Sequence, residues 1–213
     1  MPSSTLTVFG ATGALGKHVV QRALEAGHTV RAHARTPDKL GLSHERLVVI
    51  QGDFADKASI DEAVQEAPAV VSCIGHSKGQ DPAMYGVGMQ HVIDAMHNAG
   101  ASRLLAISGA GLELPGDEGG VGRRIIITLL KLLAGDLLKG KQAEWSTIAD
   151  APVDWTVVRV ARMVERAPSG SVAVHATQVS GKTAVAYADV AAWMLDQLHS
   201  STWSKQAPFV SGT

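Results

Sequence analysis

The sequence predicts an α/β fold, a parallel sheet wound in both directions with helices on both faces, forming a single domain over 1–213. Three observations carry this. A β-forming apolar run over 5–9 leads at once into Gly10, Gly13 and Gly16, and then into a helical pattern with Leu15, Val19, Val20, Ala23 and Leu24 on one face. Short apolar runs and helical patterns then alternate along the rest of the chain. No repeat or low-complexity tract interrupts them.

The strand, turn and helix at the start read as half of a dinucleotide-binding βαβ unit, and so as a Rossmann-type doubly wound sheet. Gly10 can take the dihedrals of the sharp turn, Gly13 lets the backbone approach a pyrophosphate, and Gly16 lets helix and strand pack closely. The free N–H groups of the first helical turn then face the phosphates, in the stretch that also holds Thr12, Ala14 and Leu15. The spacing G-x-x-G-x-x-G also fits a purely structural turn, but the second strand, 28–34 after Gly27, favours the dinucleotide. An NAD site needs a carboxylate at the end of that strand. The chain has Arg35-Thr36-Pro37-Asp38-Lys39 there. A guanidinium fork and an ammonium suit a 2′-phosphate, so Arg35 and Lys39 point to NADP(H), with a solvated edge as the alternative.

The third strand is expected over 46–50 and is closed by Gln51-Gly52-Asp53-Phe54, with Asp56 capping a helix to about Ala67. Its carboxyl end would lie beside adenine, with Asp53 on the adenine amine and Phe54 as one wall; an ordinary turn acid is the alternative for Asp53. Pro68 ends the helix, and 69–74 is the fourth strand, the first on the other side of the sheet. Its end, Cys73, Ile74 and Gly75, borders the crevice, where His76 is a catalytic candidate with a solvated loop histidine as the alternative, and Cys73 reads as packing. A helix over 84–99, stopped by Gly100, leads to a fifth strand over 103–109 that delivers Ser108 to the cofactor edge. A hydroxyl there can hold a substrate carbonyl or merely satisfy the strand end.

The loop 110–122, with Asp117 and Glu118, reads as a lid. Residues 123–145 read as helical, apolar on nearly all sides over 125–138, and so either sandwiched or offering a partner face. The sixth strand, 153–158, leads into 159–163 on the ligand side, with Val160 among the expected cofactor contacts. Short strands at 171–176 and 183–185, a last helix over 187–198 and a short edge strand over 206–211 complete the chain. About 110–145 and 162–186 would form a small substrate and lid region.

Charged residues are 18 % of the 213 and the formal net charge is −1, which argues against a phosphate-tracking nucleic-acid surface. Cys73 is the single cysteine, so neither a disulfide framework nor a cysteine zinc cluster is available, and no metal is expected. The apolar stretch 125–138 is broken by Lys131 and Asp136 and falls short of the about 20 apolar residues a membrane span needs. The N-terminus lacks the pattern of a removable signal. The expectation is a cytoplasmic monomer or homodimer, with neither nucleic acid nor membrane as partner.

These pieces resemble the atypical short-chain dehydrogenase/reductases, in particular the small NAD(P)H-binding group similar to NmrA-like proteins and biliverdin-IXβ/flavin reductase. The resemblance rests on Val8-Phe-Gly-Ala-Thr-Gly-Ala-Leu-Gly16, Arg35, Gly52-Asp53, Val153-Asp-Trp-Thr-Val-Val-Arg159 and Tyr187-Ala-Asp-Val-Ala191, and covers essentially the whole chain. It implies the 2′-phosphate arginine at Arg35, the adenine-side aspartate at Asp53, an active-site serine at or next to Ser108, and the lysine of a Tyr-x-x-x-Lys pair at Lys141. The tyrosine's place is Leu137, with no phenol expected nearby, and Val160-Ala161 replaces the usual proline after Arg159. A secondary-alcohol dehydrogenase, which needs a proton donor beside the developing alkoxide, is thereby disfavoured. The expected function is NADPH-dependent hydride transfer to a flat conjugated acceptor such as a flavin, quinone or bilin, which can take its proton from solvent. The alternative is an NmrA-like regulatory protein that senses NADP(H) without turnover and acts on a protein partner.

Overall fold

A computed structural model describes residues 4–75, 81–118 and 135–213. His76, and the apolar stretch up to 134, lie outside the described residues. The sheet is built outward from β1 (Thr5–Phe9), which pairs in parallel with β2 (Thr29–Ala34) on one side and β4 (Ala69–Ser72) on the other. β3 (Leu47–Gln51) lies outside β2, while β5 (Arg103–Gly109) and β6 (Asp154–Val160) continue beyond β4, all parallel. The strand order therefore reverses between β1 and β4, and a crevice opens at that switch point outside the carboxyl ends.

Beyond β6, the sheet continues through β10 (Phe209–Gly212), parallel to β6, to β8 (Val172–His175), antiparallel at the edge. The C-terminal strand is thus interior, where an edge strand was expected. Its residues Phe209, Val210 and Ser211 are all buried, as a strand paired on both sides and covered on both faces requires. β7 (Arg162–Val164) and β9 (Ala184–Ala186) form a separate parallel pair, so 183–185 does find a local partner.

Strand alternation sends apolar residues to two layers. Leu6, Val8, Val71 and Leu105 pack against α1 (Ala14–Glu25) and α5 (Tyr187–Asp196). Phe9, Val70, Leu104 and Ala106 pack against α2 (Lys57–Val64), α3 (Ala83–Ala99) and α4 (Gly135–Ala149). Even the polar Thr7 is buried, its hydroxyl donating to the Ala63 carbonyl at 2.6 Å. Asp56 caps α2 by accepting from the Ala58 N–H at 3.1 Å, as the sequence indicates. α2 ends at Val64, before Pro68, because Glu66 takes a positive φ of 60° and turns the chain first. The last helix stops at Asp196 and tightens into a 3₁₀ turn, Gln197–His199, and α4 continues past Trp145 to Ala149. Among the described residues, no helix is long and apolar enough to cross a membrane.

Candidate functional site

The carboxyl ends of β1 to β4 enclose a cleft of about 350 Å³. Gly10 closes β1 at a φ of +71°, and a Cβ there would come within 2.8 Å of the Cys73 carbonyl oxygen across the crevice. α1 begins at Gly13 with no side-chain cap and no acidic residue in its first turn, so its first N–H groups are left for a ligand. Gly10, Thr12 and Gly13 line the cleft. Gly16 lies beneath the turn, where a Cβ would overlap the Gly10 carbonyl oxygen. Ala14 is exposed but off the lining, and Leu15 and Val160 are buried in the core cluster shared with α1. Leu15 and Val160 can reach a ligand in the cleft only through backbone or a change of shape.

One end of the cleft is basic. Arg35, Thr36 and Lys39 line it together, and the Arg35 Nε lies 3.9 Å from the Asp53 carboxylate. Asp53 also accepts from the Ala55 N–H at 3.1 Å, so one of its oxygens stabilises its own turn. Phe54 forms part of the wall, edge-on to Phe9 with ring centroids 5.8 Å apart. His33 belongs to this end too, though the sequence reading did not single it out. Its Nε2 meets the Ser59 hydroxyl at 2.9 Å, and burial pulls its pKa down against the opposing pull of Asp56 and Asp53. Its signal was alternation along β2, which turns His33 toward the α2 face while its neighbours Ala32 and Ala34 point the other way.

The other end holds Cys73, Ile74 and Gly75. Burial pushes the Cys73 thiol up to about 12, although Lys141 pulls the other way, so a thiolate nucleophile is not formed here. Lys141 sits behind Ile74 rather than in the cleft. Its ammonium donates to the carbonyls of Ile74 at 2.8 Å and Ile107 at 3.0 Å and to the Glu144 carboxyl at 2.6 Å. Three donors are thus matched to three acceptors, tying α4 to the ends of β4 and β5. Ser108 is buried beside it, on β5 opposite Arg159 of β6, with no hydrogen-bond partner for its hydroxyl among the described residues.

The expectation of no nearby phenol needs correcting. Tyr85 of α3 lines the cleft, and its ring packs on Gly140, where a Cβ would come within 2.8 Å of it, one residue before Lys141. Of the expected lid, 110–122, residues 119–122 lie outside the described residues. Residues 110–118 are pinned: Ala110 N–H donates to the Val160 carbonyl, Glu118 N–H to the Thr177 carbonyl, and Asp117 receives a 2.6 Å bond from buried Arg159. In the second region, Asp189 holds the Ser169–Gly170 turn. Burial raises the pKa of its carboxyl, but bonds from Ser169 and Gly170 and the charge of Arg166 outweigh this and leave it lowered.

The glycine cradle, the uncapped helix start and the basic end fit a dinucleotide with a 2′-phosphate, and comparison with known proteins agrees in kind. A family model described as NAD(P)H-binding matches residues 10–201. The chain is 29 % identical over 154 residues to (4-alkanoyl-5-oxo-2,5-dihydrofuran-3-yl)methyl phosphate reductase of Streptomyces griseus, covering 72 % of this chain and 46 % of that protein. It is 30 % identical over 120 residues to an isoflavone reductase homolog of Zea mays, covering 52 % and 37 %. The chain thus spans less than half the length of these curated relatives. Among solved structures, ChuY, an anaerobilin reductase from Escherichia coli O157:H7, superposes with a TM-score of 0.81 at 22 % identity over 98 % of this chain and 97 % of that one. A short-chain dehydrogenase/reductase from Veillonella parvula in complex with NADP gives 0.80 at 17 % over 99 % and 95 %. These two likenesses establish the shared fold.

Proposed function

The chain belongs to the NAD(P)H-binding family, and from that premise we propose that it is an NADPH-dependent reductase acting on a flat conjugated acceptor, a flavin, a quinone or a bilin. The observation that carries the reading is the cleft itself, with glycine-turn backbone at one wall and Arg35, Thr36 and Lys39 gathered at the end of β2. When bound, the dinucleotide supplies a hydride. The protein's share is binding, orientation and proton supply. The turn and the start of α1 hold the diphosphate, Arg35 and Lys39 take the 2′-phosphate, and Ser108, buried off the cleft lining, reaches the acceptor by turning its hydroxyl toward the cleft. The names of the relatives as reductases support the reaction class.

The experiment is the rate of NADPH oxidation with FMN, riboflavin, a small quinone and a bilin as acceptors, beside binding titrations of NADPH and NADH. Saturable oxidation with one acceptor establishes the reductase and names its substrate class. Tight binding of NADPH with no turnover on any of them supports the second reading, a sensor of NADP(H). Lys141, with all three protons held by protein acceptors, is not positioned to tune a phenol, which is compatible with both readings and disfavours an alcohol dehydrogenase.

Two substitutions test the assignments. Arg35→Ala is expected to weaken NADPH by about 10- to 100-fold, the worth of a charge-assisted hydrogen bond, while leaving NADH nearly unchanged. Equal wild-type affinities for the two cofactors would remove the 2′-phosphate role. Ser108→Ala is expected to lower turnover by about tenfold or more with NADPH affinity intact. Unchanged turnover returns Ser108 to a structural role.

A further inference from the structure

Behind the cleft is a void of about 10 Å³, lined by Ala106, Ser108, Leu112, Glu144, Trp145 and Val157 together with Lys141, Ile107 and Ile148. Two polar atoms in it lack any hydrogen-bond partner among the described residues: the Ser108 hydroxyl oxygen and the Glu144 Oε1. Both residues are more than nine-tenths buried, Ser108 at 6 % exposure and Glu144 at 3 %. Such atoms are costly unless they meet a partner. A space of this size admits at most one water, and since the hydroxyl and the carboxyl make no hydrogen bond to each other, a single water is what can join them.

We propose that Glu144 holds the proton consumed in the reaction and passes it through the Ser108 hydroxyl to the reduced acceptor. This rests on the reductase reading above. Glu144 is a positioning residue rather than a catalytic one, because it acts through Ser108. The balance is simple. The acceptor gains a hydride, with its electron pair, from the dinucleotide, and a proton from the Ser108 O–H. Ser108 takes a proton from the water in the void, that water takes the Glu144 proton in the same movement, the carboxyl O–H bond breaks, and a carboxylate remains. Solvent entering the cleft after product release returns one proton by the same hydroxyl. The net change is one hydride and one proton added to the acceptor.

The site suits both states of the carboxyl. Burial raises the Glu144 pKa against the opposing charge and hydrogen bond of Lys141, which favours the acid before transfer. Lys141, 2.6 Å from the other carboxyl oxygen, stabilises the carboxylate after it. Among the described residues, the other charged or titratable groups around this position are the Cys73 thiol at the end of β4, which feels Lys141, and Tyr85 from α3, which packs against Gly140. The Arg159 and Asp117 pair stands beyond Leu112, whose carbonyl Arg159 holds.

Glu144→Gln keeps the size and the Lys141 contact but carries no titrating proton. In the wild type, kcat is expected to fall as pH rises through the Glu144 pKa. In Glu144→Gln that limb should vanish and kcat should drop at least about tenfold, with NADPH affinity within twofold of wild type. A variant that keeps both wild-type turnover and the alkaline limb overturns the proposal. If Glu144→Gln does not fold, Ser108→Ala carries the same test, since it should also abolish the limb; a retained limb overturns the relay. An infrared difference spectrum gives a readout without turnover. A protonated carboxyl band at neutral pH that is lost in Glu144→Gln and shifted in Ser108→Ala supports the assignment even if no acceptor is reduced, in which case only the reductase reading falls. Absence of that band in the wild type overturns the proposal whatever the turnover.

Discussion

Arg159→Met is expected to cost about 3–5 kcal/mol of unfolding free energy, because it removes the cationic half of a buried ion pair and strands the buried carbonyls that the guanidinium holds. The Arg159 side chain is 2 % exposed and that of Asp117 6 %. Arg159 donates to Asp117 at 2.6 Å and to the carbonyls of Ala207, Leu112 and Ala176 at 2.7, 3.1 and 3.2 Å, while its guanidinium carbon sits 3.8 Å over the Phe209 ring. Methionine fills much of the volume but none of these acceptors. Four segments are joined through this side chain: β6, the 110–118 loop, the end of β8 and the approach to β10. The loss should appear as a lower urea midpoint with an unchanged slope. β1, β4 and β5 stand between β6 and the basic end of the cleft at β2, so the variant that remains folded should bind NADPH with nearly wild-type affinity. A stability loss below about 1 kcal/mol would mean that the segments are held by other contacts.

Arg159 also shows what sequence could and could not disclose. Its place at the end of a strand was legible, because 153–158 is a short β-forming run and the stretch 153–159 resembles a family pattern. Its partners were not, since Asp117 and Ala207 lie 42 and 48 residues away and meet it only when β10 is inserted between β6 and β8. The same boundary separates the two ends of the site. The glycine turn, the start of α1 and the basic run after β2 are local, so spacing and residue type suffice to predict them, and they do line one cleft. The Lys141 bond to the Ile74 carbonyl spans 67 residues, and the Tyr85 ring reaches Gly140 only through the packing of α3 on α4. Glu144 did carry a signal, a carboxylate three residues after a lysine on one helix. Sequence could not say that the pair would be buried, which is what makes it chemically interesting.

Gly16→Ala and Gly13→Ala separate folding from binding within one turn. At Gly16 a methyl group would overlap the Gly10 carbonyl oxygen and crowd the Ala11 backbone, and backbone cannot swing aside as a side chain can. The variant is expected to lose about 1–3 kcal/mol or more through overpacking. Relief requires Gly10 to move, and Gly10 is itself confined by a φ of +71° and by the Cys73 carbonyl opposite. The turn is therefore displaced at the place where the diphosphate would lie, and NADPH should bind about 100-fold or more weakly, a loss of about 2.7 kcal/mol. Gly13 differs. Its φ of −71° is open to any residue, its nearest neighbour for a Cβ is the Gly10 carbonyl at 3.2 Å, and it faces the cleft. Gly13→Ala should melt within a few degrees of wild type yet bind NADPH at least about tenfold more weakly, because a methyl group there holds the ligand off the helix N–H groups. Thermal melts and cofactor titrations on both variants decide it. A Gly13→Ala protein with wild-type affinity would show that the ligand does not approach this turn, and with it the dinucleotide placement would have to be abandoned.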